Sequence, residues 1–174
     1  MQLLNKYLAV LFMLALVLWG CYSKSNIEVS EFPISDAVEQ SALFDKLVRL
    51  TKVIPLPNQN DSLAFLILPV HASCPFCRKK TIDKIVKNIS SMDDHHFVII
   101  SANGGRRTIL GYFSEQNYGL PESKSLQLDS TNEAYSYKLY SDKPTMYYSY
   151  QKKVYKKVEA VPHTVRKDLA HFFR

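Results

Sequence analysis

Cys74 and Cys77, separated only by Pro75 and Phe76, are the residues here best suited to covalent chemistry. A thiolate attacks disulfides, and a second thiol one helical turn away can resolve the mixed disulfide that the first one forms. The third cysteine, Cys21, lies far upstream behind an apolar run. In an oxidising compartment a lone C-x-x-C pair reads as redox chemistry rather than scaffolding. Two sulfurs are also too few for a closed structural zinc site. A chain of 174 residues, 47% hydrophobic and 22% charged, can bury a core without disulfide staples. Three readings of the pair remain: a redox couple, an inert disulfide, or half of a metal site. For the last, soft sulfur suits Cu(I), with His71 and the His95-His96 pair as further ligands.

The elements that would carry this pair alternate between strand and helix. Leu63 to Leu68 is a short, wholly apolar run, as in a strand buried on both faces. Pro75 suits a first helical position, and Ile82, Ile85, Val86 and Ile89 then repeat at i, i+3, i+4 and i+7. Cys74 therefore falls at a helix N-cap, where unpaired N–H groups and the helix dipole favour an anion and hence the attacking thiolate. Phe97 to Ile100 predicts the next buried strand, ending at Asn103-Gly104-Gly105, and a helix is expected over Arg107 to Gln116. Ser125 to Leu128 follows as a short strand. Ser130 and Glu133 form a capping box that opens a short helix to about Leu139. Thr145 to Tyr150 and Val154 to Val158, flanking Gln151-Lys152-Lys153, predict a hairpin, with its tyrosines (147, 148, 150 and 155) as packing residues. Val165, Leu169 and Phe172 line a C-terminal helix. This order implies an α/β fold with helices on both faces of the sheet.

Upstream, Asp36 and Glu39 cap a helix carrying Val38, Ala42, Leu43, Leu47 and Leu50 to about Thr51. Pro55, Pro57 and the polar run Asn58 to Asp61 break the chain before the main domain. Residues 22–34 read as a polar tether. Lys6 followed by the apolar run Leu8 to Leu18 suits an export signal and is short for a bilayer span. Leu18-Trp19-Gly20-Cys21 resembles the bacterial lipobox, which implies a signal peptide over 1–20 and lipidation of Cys21; an uncleaved anchor helix is the alternative. Either way the body lies outside the cytoplasm. The expected divisions are 1–20 signal, 21–61 tether and N-terminal helix, and 62–174 main domain. Net charge is +6, with nine Lys or Arg from Lys138 onward against Asp142, Glu159 and Asp168. That basic tail reads as a solvated face, and no nucleic-acid motif accompanies it.

Over residues 62–174 the chain resembles the thioredoxin-like family, in particular its exported, membrane-tethered thiol-disulfide oxidoreductases. The resemblance rests on Cys74-Pro75-Phe76-Cys77 between strand and helix, and on Lys143-Pro144-Thr145 opening a hairpin strand after a short helix with Ala134 and Tyr137. It implies a thioredoxin-like fold with a central mixed sheet, Cys74 as nucleophile and Cys77 as resolving thiol. It also implies a cis proline at Pro144 whose backbone pairs with substrate, with Lys143, Thr145 and Phe76 beside it. No cofactor or metal is implied beyond the cysteine pair. Expected partners are exported thiol or disulfide proteins, a membrane electron donor, and the envelope membrane through lipid on Cys21. Ser73 stands where many relatives carry an aromatic residue, and Leu68 where cytosolic thioredoxins bury an acid. Lys143 replaces the usual uncharged residue; its charge would favour a thiolate and select acidic substrate segments. Two other classes compete with the enzyme: an interaction module of the same fold using its basic face, and the Cu(I) carrier.

Overall fold

The apolar runs become the centre of a mixed, open sheet because their residues can be covered on both sides. The computed structural model describes residues 30–51 and 62–174. In chain order its elements are strand β1 (Glu31–Pro33), helix α1 (Ala37–Thr51), β2 (Ser62–Pro69), α2 (Pro75–Asn88), a 3-10 turn (Ile89–Ser91) and β3 (His96–Ser101). Then come α3 (Gly105–Ser114), β4 (Leu126–Asp129), α4 (Glu133–Ser136), β5 (Thr145–Tyr150), β6 (Lys153–Glu159) and α5 (Val165–Phe172). The six strands lie in the order β1-β6-β5-β2-β3-β4. β2, β3 and β4 run parallel, β5 returns antiparallel to β2, and β6 runs antiparallel to β5.

Side-chain alternation along β2 divides the core. Ala64, Leu66 and Leu68 face α2, α3 and α5, where they meet Ile82, Ile85, Phe113, Leu169 and Phe172. Leu63, Phe65 and Ile67 face the other way, against Phe44, Leu47 and Leu50 of α1 and the segment around Ala134 and Leu139. β2 is buried on both faces because each face has its own helical layer, which is why its sequence shows no polar alternation.

Several expectations need correction. Residues 31–33 of the expected tether form an edge strand, pairing Phe32 with Lys157. Asp36 caps α1 as expected, accepting from Glu39 N–H at 2.7 Å. Val38, however, is exposed, and Phe44 takes the buried place instead. α3 begins two residues before the expected Arg107, with Gly104 at φ +109° as its N-cap. A Cβ at Gly104 would lie 2.6 Å from Thr108 Oγ1, so this entry to the helix requires glycine. The hairpin loop is two residues, Gln151 and Lys152, both at positive φ, and a bulge interrupts the ladder at Tyr148/Ser149. Positive φ at both positions matches the twist of the strands they join. No helix among the described residues is long and apolar enough to cross a membrane. Cys21 and the expected signal segment lie outside the described residues.

Candidate active site

β2 ends at Pro69, at the C-terminal end of the parallel strands, and feeds a tight loop over Val70 to Ser73, and α2 starts at Pro75. Cys74 is the N-cap residue of α2, with φ −53° and ψ 143°. Its Sγ accepts a hydrogen bond from the Cys77 backbone N–H at 3.1 Å. The sulfur of an N-cap cysteine thus takes the place of the usual Ser or Asp oxygen, and the orphan donors of the first turn face it. Cys74 is partly exposed and Cys77 is buried, 1% accessible. Cys77 belongs to the apolar layer that includes Leu68, Val70 and Ile82. One sulfur is open to a partner and the other is held beneath it.

Arg78, not singled out by the sequence reading, braces this loop. One guanidinium nitrogen donates to Val70 O at 3.1 Å and to Ser73 O at 3.3 Å, and the guanidinium carbon lies 4.4 Å from the centre of the Tyr112 ring in α3. The signal was available, since Arg78 follows the motif directly and stands one turn after Cys74. Ser73 is buried, and its Oγ has no hydrogen-bond partner. Leu68, fully buried, supplies apolar packing where an acid was noted as missing. His71 is exposed, and its Nδ1 accepts weakly from Asn103 N–H at 3.4 Å.

Thr145 pairs with Ile67 near the C-terminal end of β2, so Lys143 and Pro144 lie at the same end of the sheet as Cys74. No cis peptide bond occurs among the described residues, which corrects the expected cis Pro144. The trans form is the default for an X-Pro bond by about 0.5–1 kcal/mol. Pro144 is also buried, and its carbonyl accepts from Ala160 N–H at 2.8 Å, continuing the ladder between β5 and β6. That carbonyl is therefore already used within the chain. Thr145 is buried and its Oγ1 donates to Lys143 O at 3.0 Å. Lys143 Nζ stands 3.9 Å from Glu159 Oε2, while Lys157 holds the other oxygen of Glu159 at 2.6 Å. Phe76 is 42% exposed, with Lys80 and Arg166 5.7 and 5.9 Å from its ring centre.

A second polar cluster sits at the same sheet end, under the α1 face. Asp129 is buried and accepts from Ser101 Oγ at 2.7 Å, Glu133 N–H at 2.8 Å and Ala134 N–H at 2.9 Å. Asn132, at φ +61°, accepts from Ser101 Oγ and from the Tyr140 hydroxyl. Burial raises the Tyr140 hydroxyl above the ordinary phenol range, and hydrogen bonds to Ser101 and Asn132 oppose it. Asn132 holds the N-cap position of α4, the Asp129 carboxylate instead of the exposed Ser130 receives its first N–H groups, and the helix ends at Ser136 instead of Leu139. Val70 N–H donates to Ser101 O, so this cluster anchors the strand end from which the cysteine loop departs.

His95 and His96 do not join the cysteines. In the parallel register of β2 and β3, His96 pairs with Ala64 and Ser101 with Pro69. Five residues of strand at about 3.3 Å each separate the two ends by roughly 15 Å or more. His96 instead bonds Asp93 at 2.6 Å. Burial pushes the Asp93 carboxyl up, but hydrogen bonds from His96 and His95 outweigh it and hold it below the usual range. No cluster of three or more His, Cys, Asp or Glu side chains suited to a metal ion occurs among the described residues. No protein-family model matches this chain, and comparison with curated proteins finds no match.

Proposed function

We propose that the chain is a thioredoxin-like thiol-disulfide oxidoreductase, anchored by lipid on Cys21 at the periplasmic side of a bacterial cell envelope and acting as a reductant. The observation that carries the reading is the pairing of an accessible N-cap sulfur with a buried thiol one turn on, joined by the Cys77 N–H to Cys74 Sγ contact. The order β2-α2-β3, then β5-β6-α5 with the Pro-Thr pair at the cysteine end of the sheet, supports the fold assignment. The trans Lys143–Pro144 bond is a departure from that family, and with the Pro144 carbonyl engaged, substrate contact falls to Phe76, Lys143 and the Cys74 rim.

The chemistry is two exchanges. Cys74 thiolate attacks one sulfur of a partner disulfide, forming a mixed disulfide and releasing one partner thiolate. Cys77, its proton passed to water, attacks Cys74 Sγ and releases the second. One partner disulfide becomes two thiols, and the dithiol becomes the Cys74–Cys77 disulfide, a two-electron transfer. A membrane electron donor returns the pair to the dithiol. The Cys77 N–H faces the sulfur that carries the negative charge at the start of the first exchange, and on resolution that charge leaves with the partner's second sulfur.

The test is thiol alkylation across a redox buffer series. A potential of about −250 mV or lower, toward the thioredoxin end of the known range, is expected, with reduction of a model disulfide that Cys74→Ser abolishes. A potential near the strong-oxidant end, about −120 mV, reverses the direction. Absence of a reversible couple overturns the enzyme reading.

A further inference from the structure

Helix α2 carries a charge pattern that works against its own stability. Lys79 and Lys80 follow Arg78 near its N-terminus, and its first turn has no acid, although the positive end of the dipole favours acids there. Lys80, Lys84 and Lys87 repeat at i, i+4 and i+7 on one stripe, where like charges repel one another. Arg166 of α5 faces the same stripe across a groove of about 360 Å³ lined also by Asp83 and Leu169. The one acid there, Asp83, also faces Tyr118, where its charge raises the hydroxyl above the usual phenol range. No carboxylate stands within ion-pair distance of Lys80, Lys84, Lys87 or Arg166 among the described residues. At its head the groove meets Phe76, which Lys80 and Arg166 flank from two helices.

We infer that this groove between α2 and α5 binds an acidic polypeptide segment beside the reactive sulfur of the partner protein. This rests on the exchange reading for its reaction. From Lys80 to Lys87 the stripe runs about 10 Å along the helix, the length of roughly three or four extended residues. An occupant with two or three carboxylates in that span meets the cations in register. Its apolar contact is the exposed Phe76, and its neighbouring sulfur lies over Cys74, two residues away. A groove between two helices, with Lys80 and Arg166 at its head beside the exposed Phe76, suits a chain segment better than a flat lipid surface. Lys143 stands 3.9 Å from Glu159 Oε2.

The test compares two peptides with the same disulfide, one flanked by Asp-Glu-Asp and one by Ser-Gln-Ser, using the full-length protein in neutral detergent. The acidic peptide is expected to react about tenfold faster in kcat/KM, at the low end of electrostatic focusing, with the preference shrinking as salt is raised to 0.5 M. Lys84→Gln/Lys87→Gln and Arg166→Gln should bring the ratio toward one. Equal rates for the two peptides, or a ratio unmoved by these variants, would overturn the inference. Salt-sensitive flotation with phosphatidylglycerol vesicles, lost in the same variants and without peptide preference, would overturn it in favour of lipid. If neither peptide is turned over, the exchange reading fails separately, and fluorescence anisotropy of a labelled, cysteine-free acidic peptide decides the groove: salt-sensitive binding lost in the variants upholds it, and no binding overturns it.

Discussion

The backbone N–H of Cys77 lies 3.1 Å from Cys74 Sγ, so the residue placed to close the disulfide also holds the attacking sulfur. Replacing the Cys77 side chain leaves that N–H in place. Cys77→Ser should accumulate the mixed disulfide at Cys74, seen as a mass increase by intact mass spectrometry after exposure to a model disulfide. Cys74→Ser should show no adduct, because Cys77 is buried. Equal labelling of both variants would contradict these assignments.

Arg78 joins the loop carbonyls of Val70 and Ser73 to the Tyr112 ring. Charge-assisted hydrogen bonds and one cation–π contact together suggest a loss of about 2 kcal/mol for Arg78→Ala. Arg78→Lys should recover less than half, since an ammonium lacks the planar fork and the stack. Urea unfolding measures the stability, and faster amide exchange confined to residues 70–74 would show that the brace acts on the loop.

Asp129, buried, accepts from three close donors, Ser101 Oγ and the Glu133 and Ala134 N–H groups, with Thr131 Oγ1 a fourth at 3.4 Å. Asp129→Ala leaves all three without that acceptor and should cost about 3 kcal/mol. Ser130→Ala, at the exposed position the capping-box pattern indicated, should change stability by less than about 0.5 kcal/mol. Equal effects in thermal unfolding would restore Ser130 as the cap.

Asp168 in α5 is buried, and its Oδ2 has no hydrogen-bond partner. Burial raises its carboxyl above the ordinary 3.8, opposed by the Thr164 hydrogen bond and reinforced by Glu31. The folded state therefore holds this proton more tightly than the unfolded chain does. Stability from this group is lost as pH rises from 3.8 through the folded value, and the full penalty is present at neutral pH. Asp168→Asn should gain on wild type across that window and stay ahead to pH 7. Denaturant midpoints from pH 3 to pH 7 measure this; a difference independent of pH would refute it.

Legibility tracked how local each cause was. β2 and β3 were readable as unbroken apolar runs, and the Ile82, Ile85 and Ile89 stripe of α2 from its helical period, because each is a pattern of neighbouring residues. The N-cap place of Cys74 followed from Pro75 alone. The place of Arg78 one turn after Cys74 is visible in the sequence, but its bracing role is not, because its partners Val70 and Tyr112 meet it only after the chain has folded back. Phe44 replaced Val38 on the buried face of α1 because the rotation of a helix against a sheet depends on what it packs against.

By itself, the sequence determined the succession of strands and helices and the placement of Cys74 and Cys77 at a helix start, since periodicity, capping and proline act over a few residues. Tertiary structure alone decided that Glu31–Pro33 joins the sheet, that Asp129 receives the first N–H groups of α4, and that Pro144 is trans with its carbonyl in the ladder. It also decided that His96 lies at the far end of the sheet from Cys74 and that Arg166 faces the lysine stripe. The physical reason is common to all of these. Each depends on strand order and register, set by the joint burial of two faces of one sheet, and no local run of residues encodes them.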